Sequence, residues 1–340
     1  MWIKGLAMLL GMAVISAPMT AYAGATLDAI RTRDTLRCGV ATDSPGFSAP
    51  DSAGILRGLD AEFCRATAAA VFGDGSKVTF VSTTALTRFQ AVQSGDVDVL
   101  FRDSTDLFGR DTQLGLMFGP IYFYDTQAAM VPKKLGVKSI KELSGATVCI
   151  LPGSNTEFNI ADYFRVNKLE YKPISIDSSD ALRRSFFSGR CDVFTADRTN
   201  LAAARSTVPN PDDYAILPET LAKSPLAPVV RQGDDQWLNI VKWVVYVTFL
   251  AEEKGLTKEN VDAALKTSND PEVMRMLGKT DGLSKQLGLA DDWGLKVIEQ
   301  TGNYSELYER TFGPNTPLKI DRDANRLWSN GGLIYAPPFL

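Results

Sequence analysis

The chain has 340 residues, with 36 Lys and Arg against 40 Asp and Glu and a formal net charge of −4. No run of basic residues occurs in this slightly acidic sequence, which argues against a nucleic-acid partner. Because the sequence contains no histidine, it excludes His-based catalytic triads, histidine general bases and histidine metal ligands.

The first 23 residues predict an export signal peptide. Lys4 provides a positive start, an apolar run covers residues 6–15, and Ala21-Tyr22-Ala23 forms a small-residue cleavage pattern. A membrane anchor is the alternative, but the run is shorter than the roughly 20 residues that span a bilayer. We therefore expect residues 1–23 to be removed and the protein to be periplasmic. The remaining chain is longer than one hydrophobic core usually supports, which favours two lobes.

Strand and helix patterns alternate along the chain, which predicts an α/β fold with mainly parallel sheets. The first half has strand patterns at 36–40, 77–82 and 97–101 and helix patterns at 60–72 and around a stripe of Leu86, Phe89 and Val92. Asp60 is expected near the N-cap of the first of these helices and Gly73 at its end. The second half repeats the order, with strands at 146–151, 172–176 and 191–196 and helices at 156–166, 178–188 and after Asp197.

One internal correspondence supports two similar lobes. Residues 94–103 resemble residues 188–197 at a constant offset of 94, sharing a serine, a glycine, two aspartates and a valine. Each segment reads as a helix end, a turn and a buried strand that finishes on Asp103 or Asp197. Since open α/β sheets bind ligands at the carboxyl ends of their strands, we expect these aspartates to face each other across a cleft. The alternative is chance similarity between two ordinary α/β units.

The remainder of the chain predicts further helices. Residues 237–251 form the most apolar later segment, but it carries Asn239 and Lys242 and is too short for a membrane span, so a core helix is predicted. From about 269 to 340 the chain is richer in Gly, Asn and Pro, with helix patterns at 290–300 and 304–312. We interpret this part as an extension that wraps the first lobe.

The four cysteines are Cys38, Cys64, Cys149 and Cys191. An even count in an exported chain fits two disulfides. Three pairings are possible, and we favour Cys38–Cys64 with Cys149–Cys191 because each bridge then stays within one lobe. Four buried free thiols are the alternative; a zinc site is less favoured because no C-x-x-C spacing occurs.

Several motifs, in this order, resemble one protein family. They are GLDAEFC at 58–64, the turn at 94–99, Arg110 followed by an apolar stretch and Pro120-Ile121-Tyr122, VCILPGS at 148–154, GRCDV at 189–193, RQGDDQW at 231–237 and YAPP at 335–338. Together they resemble the polar amino-acid family of periplasmic solute-binding proteins, and most closely its general L-amino-acid-binding branch.

The resemblance implies a two-lobed periplasmic-binding-protein fold (Venus-flytrap, type II) with hinge strands near 124–129 and 225–231. It divides the chain into the first part of lobe 1 (24–125), lobe 2 (126–230), and a return to lobe 1 with a C-terminal extension (231–340). It implies a monomer that binds L-amino acids, polar or acidic ones above all, and delivers them to the membrane permease subunits of an ABC importer. No cofactor, metal or catalysis is expected.

An amino-acid ligand presents a carboxylate, which requires a cation and hydrogen-bond donors, and an ammonium group, which requires an anion. The resemblance assigns the carboxylate to Arg110 and the Thr105 hydroxyl, and the ammonium to Asp197. The alternative for Arg110 is a surface ion pair with Asp111 or Asp106.

A second group of candidates lies at a strand-to-helix turn. Ser154 and Asn155 follow Gly153 there, and backbone N–H groups at such a turn bind anions. The alternative for Ser154 and Asn155 is plain helix capping, and capping of the next helix is also an alternative or additional role for Asp197.

Arg88 and Asp103 bear on the choice of ligand. Arg88 precedes Arg110 by 22 residues, where acidic-amino-acid binders of the family carry an arginine for the side-chain carboxylate; a charge at the cleft rim is the alternative. Asp103 departs from the Ser, Thr or Asn that relatives carry. Asp103 is expected either to pair with Arg102 or Arg110, to repel an α-carboxylate, or to meet a cationic or donor group on a larger ligand.

A further departure concerns the wall against the ligand side chain. Asp106 stands where close relatives carry an aromatic residue, so Phe47 and Phe101 become candidates for that wall, with core packing as their alternative. Two rival functions remain: a dehydratase or lyase that uses Asp103 or Glu157 as acid or base, and a soluble co-receptor for a signalling protein.

Overall fold

The computed structural model describes residues 24–280 and 282–340, so the predicted signal peptide lies outside the described residues. The strands are β1 (Leu36–Val40), β2 (Ala49–Pro50), β3 (Leu56–Arg57), β4 (Val78–Ser82), β5 (Val99–Leu100), β6 (Leu116–Phe118), β7 (Phe123–Pro132), β8 (Thr147–Ile150), β9 (Lys172–Ser175), β10 (Val193–Asp197), β11 (Tyr214–Ile216), β12 (Ala222–Leu226) and β13 (Val229–Arg231). The helices are α1 (Ala25–Arg33), α2 (Leu59–Phe72), α3 (Arg88–Ser94), α4 (Phe108–Gln113), α5 (Asn155–Val166), α6 (Ser179–Phe187), α7 (Arg198–Ser206), α8 (Asp235–Glu253), α9 (Val261–Thr267), α10 (Pro271–Met276), α11 (Trp293–Thr301) and α12 (Tyr304–Thr311).

The first lobe is built on a five-stranded sheet of order β4-β1-β5-β13-β6. β1 pairs parallel with β4 and β5, whereas β13 returns antiparallel between β5 and β6. Phe47, Phe63 and Phe101 are fully buried in the main core of this lobe, and Phe63 stacks on Phe101. Phe47 and Phe101 therefore pack in the core, and neither forms a wall against a ligand.

The second lobe contains a sheet of order β11-β7-β10-β8-β9, to which β12 adds by pairing with β7. Successive residues of its strands point to opposite faces, so Ala128 and Met130 pack in one core while Ala129 and Val131 pack in the other. The predicted parallel arrangement holds for β8, β9 and β10; β7 is antiparallel to β10.

Two segments run between the sheets. β7 and β12 pair antiparallel, and Phe123 of β7 and Leu226 of β12 are register partners that lie in the core of the first lobe. The hinge segment expected at 124–129 thus lies on β7, and the one expected at 225–231 covers the end of β12, the connection to β13 and β13 itself. The two-lobed α/β fold is confirmed, and the lobe boundaries within these strands stay a prediction.

Helix α2 begins at a different residue from the one expected. Gly58 is the N-cap, with φ of 126°, and a Cβ there would lie 2.3 Å from the Phe47 carbonyl oxygen. Asp60 is instead buried inside the first turn. The predicted stripe of the next helix is also partly wrong, because Leu86 precedes α3 and is 59% exposed.

Helices of the C-terminal part pack in the core of the first lobe. Trp237, Ile240, Val241 and Val244 are buried on α8, as the helical spacing predicts, and Tyr304 of α12 packs in the same core. Within residues 24–280 and 282–340, no helix has both the length and the apolar character needed to cross a membrane.

The structure contains the two disulfides favoured from the sequence. Cys38 of β1 is bonded to Cys64 of α2, and Cys149 of β8 is bonded to Cys191, which precedes β10. Each bridge fastens elements of one lobe, so neither restricts movement between the lobes.

We predict that the double substitution Cys149→Ala with Cys191→Ala lowers the free energy of unfolding by about 2–5 kcal/mol, because the bridge limits the freedom of the unfolded chain. Urea unfolding followed by circular dichroism measures the change. The double substitution Cys38→Ala with Cys64→Ala is the matched comparison, since it opens a shorter loop in the other lobe. An unfolding midpoint equal to that of the wild type would contradict the prediction.

Candidate ligand-binding site

A cavity lies between the two lobes, at the carboxyl ends of β1, β5, β8 and β10. It contains about 680 Å³ of empty space, its mouth included. The first lobe lines it with Ala41, Asp43, Ser44, Arg88, Arg102 and Asp103, and the second with Leu151, Ser154, Asn155, Thr156, Ser179, Leu182, Arg183, Phe194, Thr195, Ala196, Asp197 and Asn200. Five of the seven predicted ligand-binding residues are among these; Arg110 and Thr105 are not.

Three buried arginines of the first lobe dominate the charge of this region. The exposed fractions of Arg88, Arg102 and Arg110 are 3%, 5% and 8%. Burial lowers the pKa of Arg88 well below its usual range, and the nearby Arg102 and Arg110 charges lower it further. Because a guanidinium stays protonated in proteins, three such groups together strongly favour anions in their surroundings.

Arg110 lies beside the cavity and is linked to it through Phe89. The guanidinium carbon atoms of Arg88 and Arg110 lie 4.7 Å and 5.0 Å from the centre of the Phe89 ring. Arg110 Nη1 donates to the Thr105 carbonyl at 2.8 Å. Burial lowers the pKa of Arg110 to about 10, an effect that Asp197 opposes.

Among the described residues, Arg110 has no ion pair with Asp111 or Asp106. Its burial also contradicts the surface role that was the alternative. Asp106 lies in a different cavity on the hinge side, where its backbone N–H donates to the Pro225 carbonyl.

Asp103 is held by a buried aspartate behind it. Its backbone has φ of 34°, in the left-handed region, and its N–H donates to Asp60 Oδ2 at 2.9 Å. The Tyr122 hydroxyl donates to the other oxygen of Asp60. Burial raises the pKa of Asp60 to about 7, and the Asp103 carboxylate adds to the rise. The Asp103 side chain pairs with Arg102 at 3.3 Å, which is one of the roles expected for it.

Asp197 presents the second cleft carboxylate. Its Oδ1 accepts a hydrogen bond from the Ser224 hydroxyl at 2.7 Å. Burial raises its pKa well above the usual range, the Asp125 and Asp103 carboxylates add to the rise, and Arg110 opposes it. Asp103 and Asp197 both line the cavity, as the repeat predicted.

The α5 N-terminus supplies neutral donors from the second lobe. The Ser154 hydroxyl accepts the Glu157 N–H and donates to the Leu151 carbonyl at 2.6 Å, so its side chain is engaged in helix capping. Asn155 is buried, and its Nδ2 has no partner among the described residues.

Three buried donors in this region have no hydrogen-bond partner within the part of the chain that the structure describes. They are Arg88 Nε, Thr105 Oγ1 and Asn155 Nδ2. Buried polar atoms are normally paired, so three such atoms on predicted site residues indicate a place for a ligand that accepts hydrogen bonds.

The lobes contact each other around the cavity. Arg183 Nη1 donates to the Asp43 carbonyl at 2.8 Å, and Asn200 Nδ2 donates to Asp103 Oδ2 at 3.3 Å. Leu86 approaches Gly153 so closely that a Cβ on the glycine would lie 2.7 Å from it. The exposed Leu86 thus points toward the second lobe.

Sequence reasoning missed several lining residues. Asp43 and Ser44 follow β1, so the rule that identified Asp103 and Asp197 was available for them as well. Asn200 lies three residues after Asp197, on the same helical face. No local pattern indicates Arg183, because its position depends on how the lobes meet.

These features suit a small molecule that carries both signs of charge. Asp103 and Asp197 attract a cation, while Arg88, Arg110, Thr105 and Asn155 offer charge or free donors to an anion. A planar guanidinium binds a carboxylate through two parallel hydrogen bonds.

The chain resembles known proteins over nearly its full length. Residues 36–314 match the model of the bacterial extracellular solute-binding proteins, family 3. The chain is 46% identical over 337 residues, 98% of each chain, to the general L-amino acid-binding periplasmic protein AapJ of Rhizobium johnstonii. It is 44% identical over 319 residues, 94% of each chain, to the glutamate/glutamine/aspartate/asparagine-binding protein BztA of Rhodobacter capsulatus.

A solved structure is similarly close. It is a periplasmic binding protein of an ABC transporter from Brucella ovis with glutathione bound, with a TM-score of 0.89 and 43% identity, and the match covers 93% of this chain and 99% of that one. An ancestral arginine-binding protein bound to arginine has a TM-score of 0.57 and 27% identity, over 66% of this chain and 94% of that one.

We predict that Asp60→Asn removes a pH-dependent loss of stability. The folded-state pKa of Asp60, about 7, lies above the ordinary aspartate value, so its contribution is full at low pH and is lost as pH rises toward 7. Between pH 5 and pH 8 the wild type should therefore lose about 3 kcal/mol relative to the variant. Urea unfolding at both pH values measures this difference, with Asp212→Asn as an exposed control. Equal losses in the wild type and Asp60→Asn would refute it.

Proposed function

Because the chain belongs to the bacterial extracellular solute-binding proteins of family 3, we propose that it binds L-amino acids in the periplasm and delivers them to an ABC importer. The observation that carries the proposal is the meeting of three buried arginines with Asp103 and Asp197 around unpaired donors. The segment 1–23 serves as the export signal, and the membrane permease subunits are the partner of a monomeric binding protein.

The two charged groups of the amino acid divide between the lobes. Asp197 binds the ammonium, as the resemblance implied, and Ser224 holds it in position. Arg110 and the Thr105 hydroxyl bind the α-carboxylate, with Asn155 as a donor from the second lobe. Thr105 Oγ1 and Asn155 Nδ2 support this assignment, since both are buried donors without a partner among the described residues.

The balance of charge favours an acidic ligand. Three arginines face Asp103 and Asp197, which leaves an excess of one positive charge. A ligand with two carboxylates and one ammonium neutralises that excess, and Arg88 is placed to receive the second carboxylate. Glutamate and aspartate fit this description, and both appear in the name of the Rhodobacter relative.

A γ-glutamyl peptide such as glutathione is a second candidate ligand. It also has two carboxylates and one ammonium, and the Brucella structure contains it. The observation that favours it here is that Ser44, Arg183 and Asn200 line the cavity together with Asp103, which adds polar groups beyond those assigned to an amino acid. Asp103 is then an acceptor for a peptide N–H.

Binding without chemistry is the role we favour. Asp103 is paired with Arg102, and Glu157 accepts the Gly153 N–H at 3.0 Å, so each carboxylate has a structural partner. One relative is named as a general L-amino acid-binding periplasmic protein and another as a putative amino-acid ABC transporter-binding protein; these names support neither the dehydratase nor the co-receptor alternative.

The proposal is tested by calorimetry on residues 24–340, unfolded and refolded to remove retained ligand. Glutamate, aspartate, glutamine, asparagine and glutathione are the candidates, and NMR of each mixture reports turnover. We expect saturable binding with unchanged ligand spectra. Absence of binding to every candidate, or the appearance of product, would reject the proposal.

Arg110→Ala should weaken amino-acid binding by about 30-fold to several-thousand-fold, since losing one partner of a desolvated charge pair costs about 2–5 kcal/mol. Calorimetry on the folded variant measures it. The matched control is Arg165→Ala, which removes an exposed arginine of α5. Unchanged affinity in Arg110→Ala would show that another cation binds the carboxylate.

Asp103→Asn keeps the shape of the side chain and removes its charge. We predict several-fold tighter binding of glutamine, because a negative charge no longer repels the α-carboxylate, together with weaker binding of glutathione. Asp96→Asn, in an exposed turn, is the control. Identical affinities for all ligands would place Asp103 outside the binding role.

A further inference from the structure

The start of α7 has an unusual arrangement of aspartates. Asp197 directly precedes the helix, where an aspartate normally caps the first N–H groups. Among the described residues, however, its side chain makes no capping hydrogen bond and instead accepts from Ser224. Asp125 takes over the capping role, because its Oδ2 accepts the Thr199 N–H at 3.2 Å. The cap of α7 therefore comes from a different strand.

That strand is one of the two hinge strands. Asp125 lies on β7 opposite Ser224 of β12, and Gln127 of β7 lies opposite Asp197 of β10. Asp125 Oδ1 also accepts the Thr126 N–H at 2.7 Å, which fixes the carboxylate on the strand. Through Ser224 and Asp125, the environment of Asp197 is thus set by both segments that connect the lobes.

We propose that Asp125 is a positioning residue for the ligand: it caps α7 from the hinge so that Asp197 stays free to face the cleft, and its nearby negative charge favours a protonated Asp197, whose proton the ligand ammonium displaces. The proposal rests on the assignment of Asp197 to the ammonium in the proposed function.

The charges around Asp125 and Asp197 agree with a protonated Asp197. Burial raises the pKa of Asp125 to about 6, and the pKa of Asp197 is raised further by burial and by Asp125. Charged or titratable groups surround the two carboxyls: Asp103, Arg88 and Arg110 from the first lobe, Arg198 on α7 and Tyr308 on α12. The hinge-side cavity that Asp125 lines also contains Asp106, Arg205, Lys223, Asp321, Arg322 and Asp323. Two interacting carboxyl groups lose their protons in steps that belong to the pair.

The ammonium changes this balance. Its positive charge next to Asp197 favours the ionised carboxylate, so the carboxylic acid releases its proton to solvent as the ammonium–carboxylate pair forms. Affinity should therefore be weak at low pH, rise as pH passes through the titration of the pair, and level off above it. Protons released per ligand bound should be measurable in the rising part of that curve.

The test compares Asp125→Ala with Asp125→Asn in residues 24–340. Asn keeps an oxygen that accepts the Thr199 N–H and removes the charge, whereas Ala removes both. At pH 8 we expect Asp125→Ala to bind glutamate about tenfold more weakly, because Asp197 turns back to cap α7, and Asp125→Asn to stay within about threefold of the wild type. In Asp125→Asn the rise of affinity with pH should move to lower pH, since one carboxylate no longer opposes ionisation of Asp197.

Calorimetry in two buffers of different ionisation enthalpy, from about pH 5 to pH 8, counts the protons released. Circular dichroism and urea unfolding establish that each variant is folded. Ser224→Ala is an additional variant that keeps both aspartates and removes the hydrogen bond to Asp197; it should weaken binding and move the rise of affinity to higher pH, opposite to Asp125→Asn, because that hydrogen bond favours the ionised carboxylate. It keeps the test complete if Asp125→Ala does not fold.

Two results would overturn the proposal. One is an Asp125→Asn protein with the wild-type pH profile and proton count; the other is a wild type that binds glutamate with no proton release and no pH dependence. Both differ from failure of the proposed function, in which the wild type binds no candidate ligand at any pH.

Discussion

Guanidinium groups withdrawn from water need anions close by, and this requirement organises the region between the lobes. Arg88, Arg102 and Arg110 are all buried on one side of the cavity. Asp103 offsets part of this positive charge from the same lobe, and Asp197 offsets a further part only when the second lobe is near. The attraction between the buried arginines of the first lobe and Asp197 of the second therefore favours the approach of the two lobes.

The two cleft aspartates share a plan of support. Asp103 follows β5 and Asp197 ends β10, and each has a second aspartate behind it: Asp60 accepts the backbone N–H of Asp103, and Asp125 caps the helix that follows Asp197. Asp60 and Asp125 accept hydrogen bonds from backbone N–H groups, which leaves Asp103 and Asp197 available to line the cavity. The aspartate that follows a strand is thus supported by a second aspartate in both lobes, although the supporting residue lies on helix α2 in one lobe and on strand β7 in the other.

Much of this could be predicted from the sequence, because the strands and helices follow local periodicity. The repeat located Asp103 and Asp197, since the carboxyl ends of parallel strands meet at one edge of a sheet. Local sequence patterns did not predict the features that depend on contacts between residues distant in the chain. Arg183 and Asn200 line the cavity because the lobes meet there, Leu86 is exposed toward Gly153 for the same reason, and the capping of α7 by Asp125 joins residues 74 positions apart. Arg110 was identified by resemblance, yet its place beside Phe89 depends on side-chain direction that no spacing encodes.

One contact far from the cavity has a mechanical meaning. The Asn325 side chain accepts the Tyr124 N–H at 2.7 Å and donates to the Tyr124 carbonyl at 3.0 Å, as a neighbouring strand would. The amide of a single residue thereby covers part of the edge of β7, which otherwise offers unpaired groups to another chain. Asn325 therefore fastens the C-terminal segment to β7 at the hinge residue Tyr124, so a movement of the strand away from this segment has to break both hydrogen bonds.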